Sequence, residues 1–64
     1  MAASTSVEDW VTAIKIATDD KSPFQGKVDL TSIFAEPIEK QWEIFNQLSD
    51  ETKEKLQNLY GKTS

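Results

Sequence analysis

Residues 30–48 read LTSIFAEPIEKQWEIFNQL, and their apolar side chains recur at steps of three and four residues. This period is typical of a helix with one buried face. At about 100° per residue the apolar side chains cover an arc of about 180°, which is wide enough to pack against two neighbours. We therefore expect this run to be the centre of the core, with one helix on each flank. Its apolar residues are Leu30, Ile33, Phe34, Ile38, Trp42, Ile44, Phe45 and Leu48.

Pro37 interrupts the run near its middle. Proline lacks an amide hydrogen and its ring clashes with the preceding turn, so a straight helix through it costs ~3 kcal/mol. Two arrangements remain open. Either a short helical turn over residues 29–35, with Asp29 as its N-cap, is followed by a central helix that starts at Pro37, or one helix kinks there. The break is favoured because Glu36, which precedes the proline, is pushed out of helical geometry.

The segment before this run predicts a first helix over residues 7–18. Ser6 with Asp9, or Thr5 with Glu8, has the spacing of a capping box. Val7, Trp10, Val11, Ile14 and Ala17 then form an apolar stripe of helical period. Residues 19–28 read as a loop, because Pro23 and Gly26 break regular structure, and Phe24 is expected to fold back onto the core.

The segment after the run predicts a last helix. Ser49 or Asp50 can cap its start, and Gly61 follows its end. Its apolar stripe is narrow and consists of Leu56, Leu59 and Tyr60, together with Thr52. The sequence thus predicts an all-α fold, a small three-helix bundle with a further short helical turn. We expect one domain over residues 7–62, preceded by a disordered tail over residues 1–6.

Composition limits the chemistry that this chain can perform. Its 64 residues include no cysteine and no histidine, which excludes disulfides, thiolate zinc sites and the commonest general base. We therefore expect a protein that is not an enzyme and uses no metal or cofactor. The N-terminal residues resemble no secretory signal and no segment is apolar enough to span a membrane, so a cytoplasmic location is expected.

Four residues are the candidates for binding a partner. Glu36, Glu39 and Glu43 form an acidic stripe on the outer face of the central helix, and Ile16 lies on the polar side of the first helix. A solvated face and a lone exposed apolar residue are the common interpretations of such features. The functional interpretation is a surface that docks a basic protein, where charge speeds the encounter. Trp10 and Trp42 are expected in the core, and either would be a hot-spot candidate if it were exposed.

The leading functional hypothesis is a small acidic, non-catalytic protein-interaction module, such as a regulatory subunit, adaptor or inhibitor. It would be a monomer or a weak homodimer. One alternative is a helix-turn-helix-like DNA-binding domain that reads DNA with residues 49–62. The chain has no arginine and a net charge of −4, so nucleic acid is the less favoured partner. A further alternative is an inhibitor whose carboxylates mimic DNA.

Overall fold

The computed structural model describes residues 5–61 and shows an all-α fold. Its elements are α1 (Val7–Thr18), a 3₁₀ turn (Thr31–Ala35), α2 (Ile38–Asn46) and α3 (Asp50–Tyr60). The predicted three-helix bundle with an additional short helical turn is therefore confirmed. The first four residues of the predicted tail, and residue 62 at the end of the predicted domain, lie outside the described residues.

Helix α1 has the bounds that the sequence predicts. Ser6 is extended and its hydroxyl accepts a hydrogen bond from the Asp9 amide at 3.1 Å, which satisfies one of the free amides of the first turn. At the other end, the hydroxyl of the buried Thr18 donates to the Ile14 carbonyl at 2.8 Å. The polar atom of Thr18 therefore enters the interior with a partner, as burial requires.

The central run breaks at Pro37, which is the arrangement that the sequence favours over one kinked helix. Glu36 and Pro37 both have extended backbone, and Pro37 is the N-cap of α2 rather than its first helical residue. The short turn before it is a 3₁₀ helix with Leu30 at its N-cap. Asp29 accepts instead from the Thr31 amide at 3.0 Å and from the Thr31 hydroxyl at 2.6 Å, so it shapes the turn that leads into the 3₁₀ segment.

The start and end of α3 also follow the predicted signals. The Ser49 hydroxyl accepts from the Thr52 amide at 3.2 Å. The Gly61 amide donates to the Gln57 carbonyl at 2.7 Å, so the helix closes at the expected glycine. Only three residues, 47–49, separate α2 from α3.

Helix α1, not the central run, is the element on which the others pack. Both α2 and α3 make their main interhelical contacts with α1. The expectation that α1 and α3 flank α2 is therefore wrong. A wide apolar arc is compatible with two neighbours, but α2 directs only one edge of its arc toward α1 and buries Ile44 alone of its residues. The core consists of Trp10, Val11, Ile14, Ala17, Leu30, Ile33, Ile44 and Leu48.

Several large side chains that were predicted to face the core are exposed, namely Phe24, Phe34, Ile38 and Trp42. Trp10 is 7% exposed, whereas Trp42 is 67% exposed. Trp42 lies about 160° around the helix from the buried Ile44, so the two cannot face the same neighbour. Phe24 is exposed as well, because residues 22–27 form consecutive tight turns in which the Lys27 amide donates to the Phe24 carbonyl at 2.9 Å.

Within residues 5–61, no helix is both long enough and apolar enough to cross a membrane.

Candidate protein-binding groove

Three large apolar side chains of the 3₁₀ turn and α2, Phe34, Ile38 and Trp42, are exposed to solvent. Phe34, at the 3₁₀ turn, is 73% exposed, and Ile38 on α2 is 68% exposed. Ile38 and Trp42 are four residues apart, so they lie one above the other on the same face of α2. We call this pair the exposed ridge. Clustered exposed apolar side chains, unlike single scattered ones, are typical of surfaces that bind other molecules.

A concavity of about 590 Å³ lies between the 3₁₀ turn and α3. This volume is within the range of sites that bind ligands or side chains of a partner. Phe45 of α2 forms part of its wall, and Lys53 of α3 is a cation at its edge. The apolar lining consists of Val28, Leu30, Ile33, Phe34, Phe45, Leu56 and Tyr60.

A smaller concavity of about 310 Å³ adjoins it along α2. Ile38 and Trp42 of the exposed ridge line it, together with Phe45. Phe45 lines both concavities, so they meet at this side chain. We call the two concavities together the groove.

Hydrogen bonds hold the walls of the groove in place. The Tyr60 hydroxyl accepts from the Val28 amide at 3.1 Å, which ties the end of the loop to the last turn of α3. Gln41 donates through Nε2 to the Glu36 carbonyl at 2.9 Å, which ties α2 to the segment that precedes it. These two hydrogen bonds hold the Tyr60 and Gln41 side chains of the groove, which reduces the ordering that a partner would have to impose on binding.

Glu36, one of the predicted partner-binding residues, is engaged within the chain. Its Oε2 accepts from Trp10 Nε1 at 2.9 Å and lies 2.9 Å from Lys40 Nζ. These hydrogen bonds, first from Trp10 and then from Lys40, hold the pKa of the Glu36 carboxyl below its ordinary value. The ion pair with Lys40 follows from the four-residue spacing, whereas no sequence signal connects Glu36 with Trp10, 26 residues away.

Glu39 and Glu43 are exposed on α2, and each directly follows a residue of the exposed ridge. These two predicted residues therefore lie about 100° around α2 from the exposed ridge. Ile16 is exposed on α1 and lines neither concavity. Glu39 and Glu43 thus lie beside the exposed ridge on α2 without lining either concavity, whereas Ile16 lies on a different helix.

The lysines of α3 have different surroundings. Lys53 lies at the edge of the groove, whereas Lys55 Nζ is 3.0 Å from Asp20 Oδ2 and 3.7 Å from Glu51 Oε1. The hydrogen bond between Lys55 and Asp20 raises the pKa of the lysine and lowers that of the carboxyl. Lys55 is therefore partly neutralised by its own chain.

The sequence does not predict the groove, because the residues that line it belong to three separate segments. The apolar arc of α2 is wider than one neighbouring helix can bury, and this width is the sequence signal that points to the α2 part of the groove. Among residues 5–61 no group of three or more acidic side chains is placed to hold a metal ion. Comparisons with models of protein families, with curated proteins and with solved structures found no match to this chain.

Proposed function

We propose that this chain is a non-catalytic protein-interaction module that binds another protein through the groove and the exposed ridge. A regulatory subunit, an adaptor and an inhibitor are all proteins of this kind. The observation that carries the proposal is the exposure of Phe34, Ile38 and Trp42 beside a concavity lined by further apolar side chains.

The size of the apolar surface supports binding. An aromatic side chain buries about 150–250 Å² when fully covered. Since Trp42 is 67% exposed, a partner could cover about 100–170 Å² of it, which is worth about 2.5–4 kcal/mol before the entropy of association is subtracted. This value is in the range of hot-spot residues, and Trp is among the residue types most common at hot spots.

DNA binding through residues 49–62 has less support. Lys55, one of the few cations of the proposed reading helix, is paired with Asp20 and Glu51. Phosphate binding depends on cations that are free to replace counterions. The DNA-mimic alternative shares Glu39 and Glu43 with the interaction module, but it gives no role to the groove.

Affinity capture from a native lysate with three matched baits tests the proposal. The baits are the wild-type chain, a Trp42→Ser variant of the exposed ridge, and an Ile16→Ser variant as the control. Ile16 is an exposed apolar residue outside the groove, so its replacement removes a similar kind of surface at a different place. We expect a protein that is retained by the wild type and by the Ile16 variant and lost with the Trp42 variant.

Far-UV circular dichroism of all three baits confirms that each is folded before capture. Identical sets of retained proteins for the three baits, or no retained protein at all, would contradict the proposal. A partner that is lost only with the Ile16 variant would place the binding surface on α1 instead.

A further inference from the structure

The exposed part of α2 carries charge in a regular pattern beside the ridge. Ile38 and Trp42 form an apolar row along α2, and Glu39 and Glu43 form a second row about 100° further around the same helix. Within each row the two residues are one turn apart, about 6 Å along the helix axis. An apolar row and a carboxylate row therefore run side by side along the exposed part of α2.

Within the part of the chain that the structure describes, no lysine neutralises the carboxylate row. Lys40, the lysine of α2, pairs with Glu36 at 2.9 Å. Glu39 and Glu43 form no ion pair with any of residues 5–61. The chain as a whole has a net charge of −4, so its field also favours an approaching cation, and the cation of the larger concavity, Lys53, lies on α3 rather than on the carboxylate row.

A partner that satisfies both rows must present apolar side chains with positive charges beside them at the same one-turn spacing. An amphipathic helix with Lys or Arg at positions i and i+4 along its apolar stripe has this pattern. Such helices bind other proteins by placing apolar anchors, at i, i+3 or i+4 and i+7, into a hydrophobic groove. The concavity beside Phe45 provides the place for these anchors.

A second copy of this chain and an anionic membrane both fit the surface less well. Two copies that met through their exposed ridges would bring two carboxylate rows and two charges of −4 together, and like charges across an interface are unfavourable. An anionic membrane surface attracts basic segments and would repel Glu39 and Glu43.

We propose that the occupant of the groove is a basic amphipathic helix of a partner protein. Its apolar stripe covers the exposed ridge, and its Lys or Arg side chains pair with Glu39 and Glu43. This inference rests on the proposed function, since it names the chemistry of the partner that the interaction module would bind.

The test uses two designed helical peptides that share one leucine stripe. The basic peptide has Lys at i and i+4 beside the stripe, and the acidic peptide has Glu at the same positions. Each is titrated by calorimetry into the wild-type chain, the E39K/E43K variant and the Trp42→Ser variant. We expect the wild type to bind the basic peptide, the E39K/E43K variant to bind it roughly 2- to 30-fold more weakly at low salt, and the charge difference to shrink at high salt.

The reversed pair provides a control that a merely structural effect cannot reproduce. The E39K/E43K variant should bind the acidic peptide more tightly than the wild type does, because opposite charges face each other again. The Trp42→Ser variant should lose affinity for both peptides. This pattern would support the proposed occupant.

Three results would overturn the inference. The wild type could bind both peptides within twofold of each other, which would leave a groove without charge selection. It could bind neither peptide while the capture experiment still yields a partner that depends on Trp42, which would retain the interaction module but reject this occupant. It could sediment as a dimer that the Trp42→Ser variant abolishes, which would assign the exposed ridge to a second copy.

Discussion

Replacing Trp42 with alanine is expected to cost the fold little, although tryptophan is the largest apolar residue. Only about a third of Trp42 is covered in the structure, so folding buries about 50–80 Å² of it, worth about 1–2 kcal/mol. Alanine recovers part of this loss, because its helix propensity exceeds that of tryptophan by about 0.5 kcal/mol. We expect the Trp42→Ala variant to lose about 1 kcal/mol of its free energy of unfolding.

The equivalent change at Trp10 should be far more damaging. Trp10 is 7% exposed, and its replacement leaves a cavity in the core, a change that typically costs about 3–5 kcal/mol. It also removes the donor to Glu36. A domain of this length has only about 3–10 kcal/mol of stability in total, so the Trp10→Ala variant should be largely unfolded or marginally stable.

Urea titration followed by far-UV circular dichroism measures both effects without depending on tryptophan emission. With a slope of about 1 kcal/mol per molar urea, the Trp42→Ala midpoint should fall by about 1 M, and that of Trp10→Ala by several molar. In the Trp42→Ala variant the remaining emission comes from Trp10 and should resist quenching by acrylamide. If the two variants lost equal stability, Trp42 would belong to the core, and both the exposed ridge and the proposed function would have to be abandoned.

Three further predictions concern stability. The pKa of Glu36 is depressed in the folded state, so the stability that this carboxylate contributes is present above its ordinary pKa of 4.5 and is lost as the pH falls below that value. In urea titrations at several pH values, E36Q should therefore lose less stability between pH 5 and pH 3 than the wild type does. Equal losses for the two proteins would refute the link. Gly26 has a φ of +72°, and an added Cβ would lie 3.7 Å from Leu59 Cδ2, which is an ordinary contact. Gly26→Ala should therefore cost about 1–2 kcal/mol of stability through backbone strain and not through a steric clash. An unchanged melting temperature would contradict this. Ser49→Ala removes the cap of α3 and should lower the free energy of unfolding by about 1 kcal/mol, whereas Ser49→Asp should retain most of it. Equal losses for the two variants would argue against capping.

Local signals in the sequence predict the helices well. The Ser6 cap, the break at Pro37 and the Ser49 and Gly61 boundaries each depend on neighbouring residues, and the structure places them within about one residue of the prediction. These features are predictable because the chemistry of a cap or a proline acts within one turn of the chain.

Packing could not be predicted in the same way. A wide apolar arc indicates that a helix can have two neighbours, but it does not say whether the second neighbour is part of the same chain. The periodicity therefore predicts Trp42 in the core and α2 in the middle of the bundle, whereas Trp42 is exposed and α1 is the element that contacts both others. The engagement of Glu36 by Trp10 was out of reach for the same reason, since it joins residues 26 positions apart.

The fastening of the loop between α1 and the 3₁₀ turn has a consequence for proteolysis. The Gly26 amide donates to the Ala17 carbonyl at 2.9 Å and the Val28 amide donates to the Tyr60 hydroxyl at 3.1 Å, so the backbone on both sides of Lys27 is tied down. Trypsin can cleave after Lys27 only when this segment opens, so the cleavage rate follows the population of molecules in which these hydrogen bonds are broken. Because Tyr60 also lines the groove, an occupant that holds Tyr60 in place should slow cleavage of this peptide bond below its rate in the free chain.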